Sequence, residues 1–294
     1  MVGPDAGAAS ETSAREPPSL TVVSYNVLAP IWAAPRFYPD GMDVAVLDPM
    51  RRRAARQSLL RTIAFDIACL QEVTESELAA LLVDLGPSHA AFLARNGADY
   101  WSGWQTPELG WEPNGPAIVV RNDLAIDPVF RDVEVSTAGN HAAVLHLTHR
   151  ASGLDLRIVS VHLDADEQRT RLDELRALLR GLPALAGTVD VVAGDLNEGT
   201  AGTALGDALA AAGFADALDT LGVSAPTHPV FRPGDDLASL AVIDHVLTRG
   251  GRALDGRVVD SGVWAEASSA TRIETHLRVA GSDHLPIVAR IGLT

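Results

Sequence analysis

Six short polar tags close apolar runs along this chain. In order they are Ser24-Tyr25-Asn26, Leu70-Gln71-Glu72-Val73, Val161-His162-Leu163-Asp164, Gly194-Asp195-Leu196-Asn197, Ile243-Asp244-His245 and Ser282-Asp283-His284-Leu285-Pro286. Each is common alone. Together they set carboxylates, amides and imidazoles at strand ends, where a sheet can converge them on one point. Carboxylate and amide oxygens suit a hard cation such as Mg²⁺, and imidazoles suit proton transfer and phosphate contact. The pattern predicts a metal-dependent phosphoesterase.

Taken singly, Glu72 follows an apolar strand, which fixes its carboxylate as a metal ligand; the alternative is a helix-start acid complementing the dipole. Asn26 offers a carbonyl oxygen to the cation or to a neighbouring ligand, or else serves as a turn former. Asp195 and Asn197, two apart after Gly194, turn toward one phosphate, Asp195 orienting the attacking water and Asn197 donating to a phosphoryl oxygen; an Asx-turn is the other reading. His284 is the candidate general base, oriented by Asp244. Asp283 is then a metal or water contact, and His162 neutralises phosphate charge. His245 falls on the opposite strand face from Asp244 and reads as structural. Trp101, Trp104 and Trp111, ahead of Asn114, either stack a base or pin their loop. His228, in Thr227-His228-Pro229, is the remaining candidate substrate contact.

These residues need strands to carry them. Ser19–Val27 reads as a buried strand and Ala29–Asp48 as a surface loop near the site. Asp48-Pro49 starts a helix. In it Ala54, Leu59, Leu60 and Ile63 face inward, and Arg51, Arg52, Arg53, Arg56 and Arg61 form a mostly solvated face. Asp66–Leu70 is a second strand, and Thr74–Leu85 a helix opened by a Thr74/Glu77 capping box. Strands follow at Ala91–Ala94, Ala117–Arg121, Val129–Val135, Ala142–Thr148 and Leu154–His162, then an amphipathic helix at Asp166–Leu179. Val189–Ala193 is an apolar strand and Ala204–Ala212 a small helix, with final strands at Val242–Leu247 and Leu285–Ile291. Helices alternate with strands, yet several strands pair directly. That mixture suits a four-layer α-β-β-α sandwich of two mixed, mainly antiparallel sheets. The division expected is a flexible leader over residues 1–19 and one catalytic domain over 20–294.

The chain has 294 residues, 47% of them hydrophobic, enough for a sizeable core. No apolar run reaches the ~18 residues that span a bilayer. The single cysteine, Cys69, lies in an apolar run and reads as a buried inert thiol, which fits a cytoplasmic protein. Net charge is −15 and all 23 basic residues are arginine. Long duplexes are held by basic faces, so this acidity favours a short or small phosphoester substrate.

The ordered motif set resembles the endonuclease/exonuclease/phosphatase superfamily over nearly all of Leu20–Thr294. The resemblance implies the four-layer sandwich and Mg²⁺ dependence, with Mn²⁺ as a substitute. It implies that Asn26, Glu72 and Asp283 are metal-site residues, that His162 contacts phosphate, that Asp195 and Asn197 handle water and oxyanion, and that Asp244 and His284 form the acid–base pair. Ser24-Tyr25-Asn26-Val27-Leu28-Ala29, Asn114-Gly115-Pro116-Ala117-Ile118 and Thr227 ahead of Ile243-Asp244 are most similar to the deadenylase, nocturnin and Angel branch. His245 stands where that branch has an aromatic. Three activities follow as expectations: a phosphodiesterase for short RNA or nucleotide ends, a phosphomonoesterase for a small metabolite, and, from another class, a non-catalytic binding module.

Overall fold

Alternating apolar residues build two six-stranded sheets. The computed structural model describes residues 17–97, 100, 112–228, 242–260, 262 and 269–293. The first sheet comprises β1 (Ser19–Asn26), β2 (Ile67–Thr74), β3 (His89–Leu93), β4 (Asn114–Arg121), β11 (Gly251–Val258) and β12 (Ile287–Leu293), in the order β11-β12-β1-β2-β4-β3. The second comprises β5 (Ala125–Glu134), β6 (His141–His149), β7 (Asp155–His162), β8 (Thr188–Asp195), β9 (Ala215–Asp216) and β10 (Asp244–Arg249), in the order β5-β6-β7-β8-β10-β9. Most of these strands run a few residues beyond the expected bounds at one end or the other; in β2 and β8 it is the polar tag that continues the ladder.

Each sheet has one parallel pair at its centre, β1 with β2 and β7 with β8; the other neighbours are antiparallel. A parallel pair needs a crossover. Here the crossovers are α1 (Pro49–Thr62) and α3 (Gln168–Arg180). The consequence is positional: Asn26 and Glu72 close one parallel pair, and His162 and Asp195 the other. The sheets stack with β1 against β8 and β2 against β7, so all four ends meet.

Strand alternation sorts the core into layers. Leu20, Val22, Ile67 and Cys69 face Leu145, Leu156, Ile158 and Val191 between the sheets. On the outer side of the first sheet, Leu60 and Ile63 with Leu78 and Leu81 of α2 (Glu75–Leu85) cover Val23, Tyr25, Ala68 and Leu70. On the other side, Leu175 and Leu178 of α3 and Leu205 and Leu209 of α4 (Ala204–Ala211) cover Val159, Val161 and Val192. The expected four-layer sandwich is the fold. No helix among the described residues is long and apolar enough to cross a membrane.

Local signals behave as their chemistry requires. Asp48 caps α1 by accepting the Arg51 N–H at 2.9 Å, and Thr74 caps α2 by accepting the Glu77 N–H at 3.2 Å. Three expectations are corrected. Arg52 and Arg56 do not join a solvated face; both are buried, because their guanidiniums bind backbone carbonyls of neighbouring loops. Ala54, expected inward, is exposed, since the inward stripe of α1 is Arg52, Arg56, Leu60 and the following Ile63. The 29–48 segment is more than a surface loop: Tyr38, Met42, Val46 and Leu47 pack on Ile273 and Leu277 of α6 (Ser269–Ala280). Both α6 and β11 were absent from the expected elements, as was the short α5 (Ala217–Thr220).

Candidate active site

The register of the second sheet aligns three polar side chains. His162 pairs with Asp195 across β7 and β8, and Asp195 pairs with Asp244 across β8 and β10. These three share the strand face of the apolar residues between the sheets, so they crown the core rather than the outer helices. A Cβ at Gly194 would run into the Val161 carbonyl. Glycine is therefore needed for β7 and β8 to approach this closely at the ends that carry His162 and Asp195.

The first sheet delivers Glu72 through a bulge. β2 and β4 pair up to Leu70–Ala117 and resume at Val73–Gly115, leaving Gln71 and Glu72 opposite Pro116 alone. Proline has no N–H to give the ladder, and the extra residue re-aims a side chain. Glu72 takes φ = 58°, Leu28 56° and Asn197 52°. These left-handed conformations in non-glycine residues carry local strain, which persists only where the surroundings over-determine it.

The side chains link into one cluster. Asn26 Nδ2 donates to Glu72 Oε1 at 2.9 Å and to Asp195 Oδ2 at 3.0 Å, tying the two sheets together. Its Oδ1 accepts the Leu28 N–H, and Glu72 Oε2 accepts the Ala29 N–H. His162 lies between the same carboxylates, Nδ1 3.9 Å from Glu72 Oε1 and Nε2 3.5 Å from Asp195 Oδ2. Asn197 Nδ2 lies 3.0 Å from His162 Nε2, while its backbone N–H donates to Asp195 Oδ1, so the Asx-turn is present and still leaves Asn197 facing the cluster. His284 Nδ1 donates to Asp244 Oδ2 at 2.9 Å and points Nε2 at Asp195 Oδ2, 3.6 Å away. Asp283 lies beside His228 (3.8 Å) and accepts from the Tyr38 hydroxyl (3.3 Å), and the His228 and His284 rings meet tilted at 40° with centroids 4.3 Å apart.

Electrostatics follow from these contacts. Burial opposes the Asp195 charge, but His284 and then His162 hold its carboxyl below its ordinary value. Burial likewise opposes the Asp283 charge, yet His228, His284 and Arg52 hold it well below the usual range. Burial disfavours a charged His284, and Asp244 and Asp195 outweigh it, pushing the ring up to about 10. Burial dominates at His276, bringing it down to about 4. Two triads, Asp195–Asp244–His284 and His228–Asp283–His284, bring candidate ligand atoms within 4.8 Å of one another. Asp244 Oδ1 and Asp283 Oδ1 are buried with no hydrogen-bond partner among the described residues. A divalent cation or its water would satisfy such atoms, so the donor set fits a hard metal ion.

Most of the sequence-derived candidates therefore converge: Asn26, Glu72, His162, Asp195, Asn197, Asp244, Asp283, His284 and His228. Asn114 is buried at the start of β4, one register step past the Val73–Gly115 pair, and its Nδ2 has no partner among the described residues. Trp101, Trp104 and Trp111 lie outside the described residues. His245 is turned away as expected, bound to Asp216 at 2.6 Å and to the Glu198 carbonyl. Sequence reasoning missed Tyr38 and His276, which hold Asp283 by its carboxylate and its backbone carbonyl. The aromatic content of the 29–48 segment was the one available signal.

Among solved structures, the chain is similar to an endonuclease/exonuclease/phosphatase family protein from Bacteroides thetaiotaomicron, at 19% identity and TM-score 0.66, covering 95% of this chain and 99% of that one. It is also similar to ANGEL2, described as a 2′,3′-cyclic phosphatase in complex with adenosine-2′,3′-vanadate (18%, TM-score 0.65, covering 94% and 96%). A third is a mannosyl-6-phosphatase from Bacteroides thetaiotaomicron (18%, TM-score 0.61, covering 92% and 99%). No curated protein sequence matches the chain. The pattern of the Endonuclease/Exonuclease/phosphatase family matches residues 23–284, and with that span, this fold and the polar cluster at its strand ends, the chain belongs to that family of phosphoester hydrolases.

Proposed function

We propose that the protein hydrolyses the phosphodiester of a nucleotide or short RNA end by in-line attack of water. The observation that carries this reading is the unbroken run of contacts from Glu72 through Asn26, Asp195 and His284 to Asp244, with His162 and Asn197 on one flank. The buried, unpartnered Asn114 amide supports a polar substrate contact beside it, and the adenosine-2′,3′-vanadate held by ANGEL2 supports a nucleotide.

Glu72, Asn26 and Asp283 would hold Mg²⁺, or Mn²⁺ in its place. The cation would polarise the phosphoryl group and offset leaving-group charge, and its positive charge would oppose protonation of His284. Asp195 orients the water, and the Asp244–His284 pair takes up its proton. Asn197 and His162 hold the charge that develops on the phosphoryl oxygens. His228 and Asn114 contact the substrate, and Trp101, Trp104 and Trp111 are proposed to cover it. The protein acts in the cytoplasm on this reading, a compartment suited to a chain whose lone thiol, Cys69, is free and buried.

Hydrolysis of a small phosphomonoester is the second reading, favoured by the net charge of −15 and by the likeness to a mannosyl-6-phosphatase. One assay separates them: mononucleotide release from a short RNA against inorganic phosphate release from sugar and nucleotide monophosphates, each with Mg²⁺ or Mn²⁺. Mononucleotide as the main product upholds the first reading, and phosphate alone replaces it with the second. No hydrolysis with either metal would leave a binding module.

A further inference from the structure

Two buried arginines sit behind the site without touching it. Arg52 is 1% exposed and Arg56 5%, and burying a guanidinium is costly unless its donors are used. They are used on backbone carbonyls from two separate loops. Arg52 donates Nε to the Gly281 carbonyl at 3.0 Å and Nη2 to Val27 at 3.3 Å and to Leu28. Arg56 donates Nη1 to Val27 at 3.2 Å and Gly281 at 2.9 Å, while its Nη2 is anchored by Glu77 of α2 at 2.5 Å.

Val27 and Leu28 form the exit of β1 immediately after Asn26, and Gly281 immediately precedes Ser282-Asp283-His284. Other bonds follow the same seam. The Tyr25 hydroxyl donates to the Ala280 carbonyl, and Ser282 Oγ donates to the Asn26 carbonyl at 2.7 Å while accepting the His284 N–H. Gly281 has φ +71°, and a Cβ there would run into the Arg52 carbonyl, so the turn is seated directly against α1.

We propose that Arg52 and Arg56 are positioning residues: a guanidinium pair that fixes the β1 exit loop, with Asn26, against the turn that carries Asp283 and His284. The proposal rests on the reading of this cluster as the hydrolytic site. Its physical content is that each planar fork reaches carbonyls on both loops at once. An ammonium keeps the charge but is a point donor and cannot span them.

The test compares Arg52→Lys with Arg249→Lys. Arg249 is a matched control at the far end of β10, where it too forks, to Asp190 and to the Ala212 and Leu182 carbonyls. Hydrogen exchange at the Leu28, Ala29 and His284 amides reports loop position, because these N–H groups donate to Asn26, Glu72 and Ser282. Arg52→Lys is expected to speed exchange at those amides about tenfold and to lower kcat about tenfold or more with KM nearly unchanged, as misplacement of reacting groups does. Arg249→Lys, compared at its own thermal midpoint, should leave both within about twofold, since its carbonyls lie away from the reacting groups. Wild-type-like exchange and kcat in Arg52→Lys overturns the proposal, and so does an equal loss in Arg249→Lys. Should Arg52→Lys fail to fold, Arg56→Lys decides by the same readouts, its fork also joining Val27 to Gly281. If the wild type hydrolyses nothing while the exchange pattern appears as expected, the hydrolase reading fails and the positioning role stands.

Discussion

Glu72 combines two demands that conflict. On the proposed function its carboxylate must stay for chemistry, yet its backbone at φ = 58° is one that an L side chain adopts at a cost. The two demands can be separated by substitution. Glu72→Gln should cut turnover roughly 100- to 1,000-fold with thermal stability near wild type. Glu72→Gly should be just as inactive but about 1 kcal/mol more stable than Glu72→Gln, because glycine takes left-handed backbone freely. His284→Ala should lose turnover to the same degree, since it removes the group that Asp244 and Asp195 jointly orient. Steady-state kinetics with circular dichroism melts checks all three. A fully active Glu72→Gln would remove Glu72 from the site.

At the scale of elements, short polar pairs fasten the peripheral pieces to the sheets. His245 ties β10 to β9 through Asp216 at 2.6 Å while 3% exposed. Burial works against its charge, but the bond to Asp216 and the charges of Asp216 and Asp244 raise its pKa above the ordinary 6.5. A raised histidine contributes stability that is present below the unfolded value and lost as pH climbs through the folded one. Unfolding free energy, measured in denaturant, should therefore decline from pH 6.5 upward in the wild type, and the decline should flatten in His245→Asn. Equal slopes would mean the pair carries no linkage. These pairs also mark where sequence reading stopped. α1, α3 and most strands were legible because apolar spacing and caps such as Asp48 and Thr74 are local signals. α6 was not, since Arg272 and His276 are buried beside Ile273 and Leu277 and interrupt its apolar stripe. The inward stripe of α1 hides in the same way behind Arg52 and Arg56. In β11 half-buried and exposed positions alternate across a bulge between Ala253 and Asp255, and few apolar residues mark the inward ones. A pattern made only of apolar residues cannot register a buried guanidinium whose partners are carbonyls of distant loops.

The whole molecule gathers its polar tags because both sheets place a parallel pair centrally and present the same ends. The order of tags made the cluster legible; the bulge at Glu72 and the grip of Tyr38 and His276 on Asp283 depend on strand pairing and loop packing, which no local window contains. The same scale governs what the protein can hold. Of the 23 arginines, Arg52, Arg56, Arg157 and Arg272 are buried, and Arg61, Arg95, Arg121 and Arg171 face Asp84, Glu75, Asp66 with Asp123, and Glu198. The other arginines would have to displace a polyanion's counterions against a net charge of −15. A protein neutralising 6–10 phosphates loses roughly 10³- to 10⁵-fold in duplex affinity between about 50 and 200 mM salt, and one neutralising one or two loses about tenfold or less. Binding to a long duplex should accordingly be weak and follow the shallow dependence, while kcat/KM for a short RNA end changes little with salt. Titrations of a labelled duplex at the two salt concentrations measure this directly. A thousand-fold loss would reveal a basic track and would return long nucleic acids to the substrate range.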